Sequence, residues 1–205
     1  MKVLNLYAGL GGNRKLWKDV EVTAVEKNKS IAAIYKEHFI EDNIVVGDAH
    51  NFLMENYMNY DFIWSSPPCP THSRLRLMGT KNNSYSAVFP DMKLYEEILF
   101  LKHYFDGKWV VENVKSYYEP LIKPIQVDRH YFWSNFHITP IDIGYGGNIK
   151  KGRAGELSKI KGFDISKYKL DGRRKDSAIR SYINPKLGKH ILDCAFKLQQ
   201  IKIIN

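Results

Sequence analysis

Tyr60-Asp61-Phe62-Ile63-Trp64-Ser65-Ser66-Pro67-Pro68-Cys69-Pro70 is the stretch on which the reading of this chain depends. Its first half is a short apolar run, the pattern of a buried strand. Its second half stops that strand abruptly, because each proline fixes its own φ and restricts the residue before it. Cys69 is therefore presented on a stiff strand-to-loop turn. A cysteine kept for packing has no need of that setting, and Cys69 is read as a nucleophile, the thiolate being the reactive form of the side chain.

Working outward toward the N-terminus, residues 52–57 form a short helix. Before it stands a strand at residues 43–46 that ends in Gly47-Asp48-Ala49. Residues 30–38 have helical spacing, with Ile31, Ile34 and Tyr35 on one face. Residues 21–25 form another strand, closed by Glu26. The first strand, residues 3–7, breaks into Ala8-Gly9-Leu10-Gly11-Gly12, and residues 14–17 then look helical. Strand, glycine loop and helix is the layout that lets backbone N–H groups approach a ligand. An acid closing the second strand of such a unit is placed to accept hydrogen bonds from ribose hydroxyls.

Toward the C-terminus, residues 71–91 read as an irregular loop, containing Ser73, Arg74 and Arg76. A loop of that length beside a candidate nucleophile is the kind that serves function. Residues 91–105 are helical, and residues 108–111 form a fifth strand that ends in Glu112-Asn113-Val114. Residues 120–124 are a linker, and residues 127–133 are aromatic and β-like. Residues 140–175 are glycine- and lysine-rich without strong periodicity, and residues 187–204 form a helix entered through Gly188. Strands alternating with helical crossovers imply an α/β fold, a doubly wound parallel sheet. The chain is read as a single domain over residues 1–205, with a small basic insertion near residues 140–172.

The bulk numbers agree with that reading. A chain of 205 residues, 44% hydrophobic and 26% charged, has the composition of one globular α/β core. A formal net charge of +9 points to a polyanionic partner. Cys69 and Cys194 are the two cysteines, too few for a disulfide framework or a metal-type pairing, which suits a reducing cytoplasm. No metal is expected. The first residues enter a strand at once, and there is no apolar run of the roughly 18 residues a membrane span needs, so a cytoplasmic protein without a membrane partner is expected.

In chain order stand Tyr7-Ala8-Gly9-Leu10-Gly11-Gly12, Val25-Glu26, Gly47-Asp48, Ser66-Pro67-Pro68-Cys69 and Glu112-Asn113-Val114. This ordered set resembles the cytosine-C5 DNA methyltransferases, as a compact phage-type or orphan member. The resemblance covers about residues 3–200 apart from the insertion. It implies a Rossmann-like methyltransferase sheet and S-adenosyl-L-methionine as cofactor. Tyr7, Ala8, Gly9, Leu10, Gly11 and Gly12 would line its methionine moiety, Glu26 its ribose hydroxyls and Asp48 its adenine amino group, with Pro68 beside them. It further implies that the Cys69 thiolate adds to C6 of a flipped cytosine, making C5 nucleophilic toward the methyl group. Glu112 would act at N3, Arg129 would hold the base O2, and Asn113 would brace the Pro68-Cys69 turn. Residues 71–91 would be the lid. Duplex DNA is the expected partner, contacted by Ser73, Arg74 and Arg76 and by Lys150, Lys151, Arg153, Arg173 and Arg174.

The sequence departs from the family pattern in three places. Val127 stands where the first of two arginines is usual, and Lys27 stands where an aromatic residue often stacks on adenine. The recognition segment is short, which leaves room for a homodimer or a specificity partner. Three alternatives stay open. The acceptor is a tRNA cytosine, or the domain binds nucleic acid without catalysis. A third reading is an amine N-methyltransferase, whose turns share the Ser66-Pro67-Pro68 start but place an aromatic residue where Cys69 stands.

Overall fold

In the computed structural model, which describes residues 1–143 and 154–196, strand β4 (Phe62–Ser65) lies in the middle of a seven-stranded sheet. All four of its residues are buried, as an uninterrupted apolar run bounded by prolines should be. Its neighbours are β1 (Lys2–Leu6) and β5 (Lys108–Val114), both parallel to it. Beyond β1 lie β2 (Glu21–Glu26) and β3 (Asn43–Val46), also parallel. Leu6, Ser65 and Val111 are mutual register partners. The chain therefore leaves β1 and β4 at one level, β5 runs three residues farther to Val114, and the segments that follow share one carboxyl edge. The sheet order β3-β2-β1-β4-β5 reverses direction between β1 and β4, which is where an open α/β sheet leaves a crevice for a ligand.

Two further strands complete the sheet and correct the sequence reading. The aromatic run at residues 127–133 is not one strand. It contains the turn of a hairpin between β6 (Ile125–Val127) and β7 (His130–Ser134). Asp128 turns the chain with φ 51, in the left-handed region that a short polar side chain tolerates. Strand β7 runs antiparallel to β5. The sheet is thus mixed, with five parallel strands and an antiparallel hairpin.

Strand alternation sorts the core. Phe62 and Trp64 face one side, packed with Leu187, Ile191 and Ala195 of α7 (Pro185–Phe196). Ile63 faces the other side, with Leu53 of α2 (Ala49–Asn56) and Leu94, Ile98 and Leu101 of α4 (Lys93–Tyr104). A third cluster joins α1 (Lys29–His38) to α5 (Ala154–Lys161) and α6 (Gly172–Ser181), around Leu157, Phe163 and Ile179.

The remaining differences are local. The helical segment expected at residues 14–17 is a single turn of 3-10 helix, Arg14–Leu16. The expected irregular loop contains α3 (Arg74–Lys81), whose N-terminus is capped by Ser73. The segment read as aperiodic carries α5 and the start of α6, because Leu157 and Phe163 bury against α1. Helix α7 starts at Pro185, a favoured first position, with Asn184 Oδ1 accepting from the Lys186 N–H at 2.8 Å. Gly188 lies inside α7, and residues 197–204 of the expected helix lie outside the described residues.

Candidate active site

The crevice side of β1 opens with Tyr7, whose φ of 56 is left-handed. That turn sends the Ala8 N–H to Val25 O at 3.0 Å and the Gly9 N–H to Glu26 Oε2 at 3.0 Å. The three glycines that follow serve different ends. Gly9 is itself left-handed, at φ 54, and a Cβ there would meet nothing nearer than 3.9 Å. Its outer side is open to a ligand. A Cβ on Gly11 would lie 2.2 Å from Phe39 Cε2, and one on Gly12 would lie 2.2 Å from Ile183 O. Those two glycines let the loop pack against the end of α1 and the segment ahead of α7. Leu10 is buried in the small helical cluster, so its side chain belongs to packing.

Two carboxylates flank the open side. Glu26 Oε1 accepts from the Asn28 N–H at 2.8 Å while Oε2 takes the Gly9 N–H. Asp48 caps α2, accepting from the His50 and Asn51 N–H groups at 3.1 and 3.2 Å, and pairs with exposed Lys27 at 3.3 Å. The bond from the Asn51 N–H, more than any other influence, keeps its carboxyl below the usual carboxylate range. Carboxylate acceptors on either side of an open backbone fit a nucleoside that has a free ribose diol and an exocyclic amine.

The Cys69 turn is held from three sides. Trp64 Nε1 donates to Ser66 Oγ at 2.8 Å. From β5, the Asn113 side-chain amide donates to Pro67 O at 3.0 Å, and Asn113 is itself buried. The His72 N–H donates to Cys69 O at 3.0 Å. Cys69 is partly exposed as a residue, but burial of its thiol, and secondarily the charge of Glu112, pushes the thiol up to about 11.

Glu112 is buried, and its Oε1 lies 2.6 Å from His130 Nδ1. His130 is the residue that sequence reasoning missed. It pairs with Val114 across the β5–β7 ladder, which makes it a diagonal neighbour of Glu112 on one face. That proximity depends on the hairpin register. Arg129 stands on the hairpin turn, its side chain 44% exposed and 4.0 Å from Asp128 Oδ2. Lys161, also unforeseen, is buried and donates to the carbonyls of Arg180 and Tyr182 at 2.8 and 2.7 Å. Burial, followed by the like charge of Arg129, lowers it to about 8, and the charge of Glu112 acts in the opposite direction.

The 71–91 segment is closed at its neck, where the Asp91 N–H donates to Thr71 Oγ1 at 3.0 Å. Ser73 Oγ accepts from the Leu75 N–H as the α3 cap. Arg74 is exposed and reaches Ser116 O at 3.3 Å. Arg76 donates to Ser86 O at 3.2 Å and lies over the Tyr85 ring, so it holds the segment together. Of the other expected nucleic-acid contacts, Lys150, Lys151, Arg153 and the side chain of Arg173 lie outside the described residues. Arg174 is exposed and pairs with Asp171 at 3.0 Å.

A cavity of about 460 Å³ lies between Leu10, Phe39 and Phe163, and none of its lining residues belongs to the Cys69 turn. Among the described residues, no group of three or more His, Cys, Asp or Glu side chains could hold a metal ion. No described helix is long and apolar enough to cross a membrane.

The sequence model of C-5 cytosine-specific DNA methylases matches residues 1–120. A curated relative, the tRNA (cytosine(38)-C(5))-methyltransferase of Spodoptera frugiperda, is 23% identical over 158 residues, 70% of this chain and 45% of that protein. The chain thus spans less than half the length of that relative. The Entamoeba histolytica methyltransferase EhMeth shares the fold at a TM-score of 0.58 and 11% identity, over 97% of this chain and 98% of its own. A mutant of Spodoptera frugiperda DNMT2 is 26% identical at a TM-score of 0.40, over 56% of this chain and 35% of its own.

Proposed function

Since this chain belongs to the C-5 cytosine-specific DNA methylase family, we propose that it methylates C5 of a cytosine in DNA through a covalent bond between Cys69 and C6. The observation that carries this reading is the turn Pro67-Pro68-Cys69, braced by Asn113 from the same strand end that presents buried Glu112. S-adenosyl-L-methionine, when bound, supplies an electrophilic methyl group. Tyr7, Ala8, Gly9, Gly11 and Gly12 form the loop that would receive it, the open side of Gly9 giving it room, while Glu26 and Asp48 take its ribose and adenine polar groups. Leu10 packs beneath that loop in the small helical cluster, and Pro68 would stand beside the cofactor.

Cytosine C5 is a weak nucleophile, and the chain's residues change that. Cys69 loses its proton to solvent, and its thiolate forms the S–C6 bond, pushing an electron pair toward N3. Glu112 shares a proton with N3 as the charge develops there, and His130 orients the carboxyl. Arg129, on the nearby turn, would hold the base edge. C5 then carries the electron density that takes the methyl group. Loss of the C5 proton to solvent and expulsion of the thiolate restore the ring and Cys69. Both faces of the ring must be reached, so the base would leave its stack, and the 71–91 segment would cover it.

One observation favours a second acceptor, tRNA cytosine: the curated relative acts on tRNA. The test incubates the protein with duplex DNA or with tRNA and labelled S-adenosyl-L-methionine, followed by nucleoside analysis. The DNA reading expects 5-methylcytosine in DNA and none from Cys69→Ser. Product in tRNA alone replaces it with the tRNA reading. Nucleic-acid binding without cofactor binding or product leaves a silent binding domain.

A further inference from the structure

Helix α4 carries one acid on its inward stripe. Leu94, Ile98 and Leu101 pack under the sheet, and Glu97 shares their face and is fully buried. A carboxylate in that position is costly unless hydrogen bonds replace its hydration. Glu97 has three partners. The Tyr7 hydroxyl donates to Oε1 at 2.5 Å, the Ser65 hydroxyl donates to Oε2 at 2.5 Å, and His50 Nδ1 lies 3.1 Å from Oε1.

These partners come from three different segments of the site. Tyr7 begins the glycine loop, in a left-handed conformation that a bulky side chain disfavours. Ser65 is the last residue of β4, directly before Ser66-Pro67-Pro68-Cys69. His50 lies in the first turn of α2, and its N–H binds Asp48. Burial first, and then Glu97, raises Tyr7 far above its ordinary value, so its proton stays on the oxygen as a donor. The bond to Glu97 also raises His50. An apolar side chain at position 97 would fill the same space without joining these segments.

We propose that Glu97 is a positioning residue for methyl transfer, locking the glycine loop, the Asp48 turn and the Cys69 turn into one relative geometry. It lies behind the site and acts through Tyr7, Ser65 and His50. The proposal rests on the methyl-transfer reading of the site. It accounts for a charged group on an apolar stripe, and for a tyrosine that bends left-handed where the loop leaves β1.

The test compares Glu97→Gln, Tyr7→Phe and Ser65→Ala with the wild-type protein. Calorimetry with S-adenosylhomocysteine reads cofactor-site affinity. Trapping on duplex DNA or tRNA carrying 5-fluorocytosine, at saturating S-adenosyl-L-methionine, reads the covalent step. Tyr7→Phe is expected to weaken affinity about tenfold with trapping at saturation nearly intact, the scale of one lost hydrogen bond to a charged group. Ser65→Ala is expected to slow trapping about tenfold with affinity nearly intact. Glu97→Gln, whose amide offers one acceptor oxygen to two hydroxyls, is expected to do both. The two single-partner variants carry the test if Glu97→Gln does not fold. Variants that lower only the melting temperature, with wild-type affinity and trapping, overturn the proposal while leaving the methyl-transfer reading standing. A wild-type protein that binds no S-adenosylhomocysteine overturns that reading, and the proposal with it.

Discussion

At Cys69, burial and the charge of Glu112 act in the same direction, and the thiol is held up to about 11. Near neutral pH the thiolate fraction is then on the order of 10⁻³ to 10⁻⁴, so the resting nucleophile is protected. Neutralising Glu112 removes one of the two influences. Glu112→Gln is therefore expected to shift Cys69 alkylation by iodoacetamide to lower pH and to speed it severalfold at pH 8. The same substitution is expected to slow methyl transfer by roughly 10²-fold or more, through loss of proton sharing at N3. Residue-resolved mass spectrometry separates Cys69 from buried Cys194. An alkylation profile identical to that of the wild-type protein would show that the Glu112 charge does not reach the thiol. Cys69 stood out in the sequence because its proline-bound turn follows an apolar run, and Glu112 and Asn113 because they close the apolar run of β5. His130 was not legible, because its approach to Glu112 depends on a register that only the folded hairpin sets.

Among the elements, the glycine loop separates an open position from packed ones. Gly9→Ala places an L-residue at φ 54 but meets no close atom, and it is expected to cost about 1–2 kcal/mol of stability. Its methyl group would enter the open side of the loop, so cofactor affinity is expected to fall further than stability does. Gly12→Ala drives a Cβ to within 2.2 Å of Ile183 O, a backbone atom that yields only by moving the entry to α7. It is expected to cost at least about 3 kcal/mol, the upper range for overpacking. Chemical denaturation paired with calorimetry on S-adenosylhomocysteine orders the two variants, and the opposite order would reverse the assignment of the open face. Helix α4 illustrates where element reading stopped. Its helical span was legible, yet Glu97 on its buried face was passed over, although an acid between inward apolar residues was the available signal. Helices α3 and α5 were missed for another reason. Their sequences are polar or glycine-bearing, and their stability comes from a cap at Ser73 and from Leu157 packing against α1, neither of which periodicity reports.

Across the whole molecule, the five parallel strands were readable because βα alternation leaves few topologies. The antiparallel hairpin hid inside one aromatic run whose only punctuation is Asp128-Arg129. The fold also stores several protons that the unfolded chain would release. Cys69 moves from an ordinary value of 9.0 to about 11, and Tyr7 and Tyr35 are both raised above theirs, chiefly by burial. For each group the folded state keeps its proton over a range in which the unfolded state has lost it. The stabilisation is therefore complete below the unfolded value and disappears as pH climbs toward the folded one. For Cys69 that window runs from about 9 to about 11, and its full width corresponds to about 3 kcal/mol by linkage. The two tyrosines add to the loss above their ordinary value of 10.0. Urea denaturation at pH 8, 9, 10 and 11 is thus expected to show stability nearly level to pH 9 and then falling with increasing steepness. Cys69→Ser should flatten the first part of the fall, and Tyr35→Phe the later part. A Cys69→Ser profile parallel to the wild type between pH 9 and 11 would mean that the thiol is hydrated in the folded protein, which would remove the protected nucleophile argued at the residue scale.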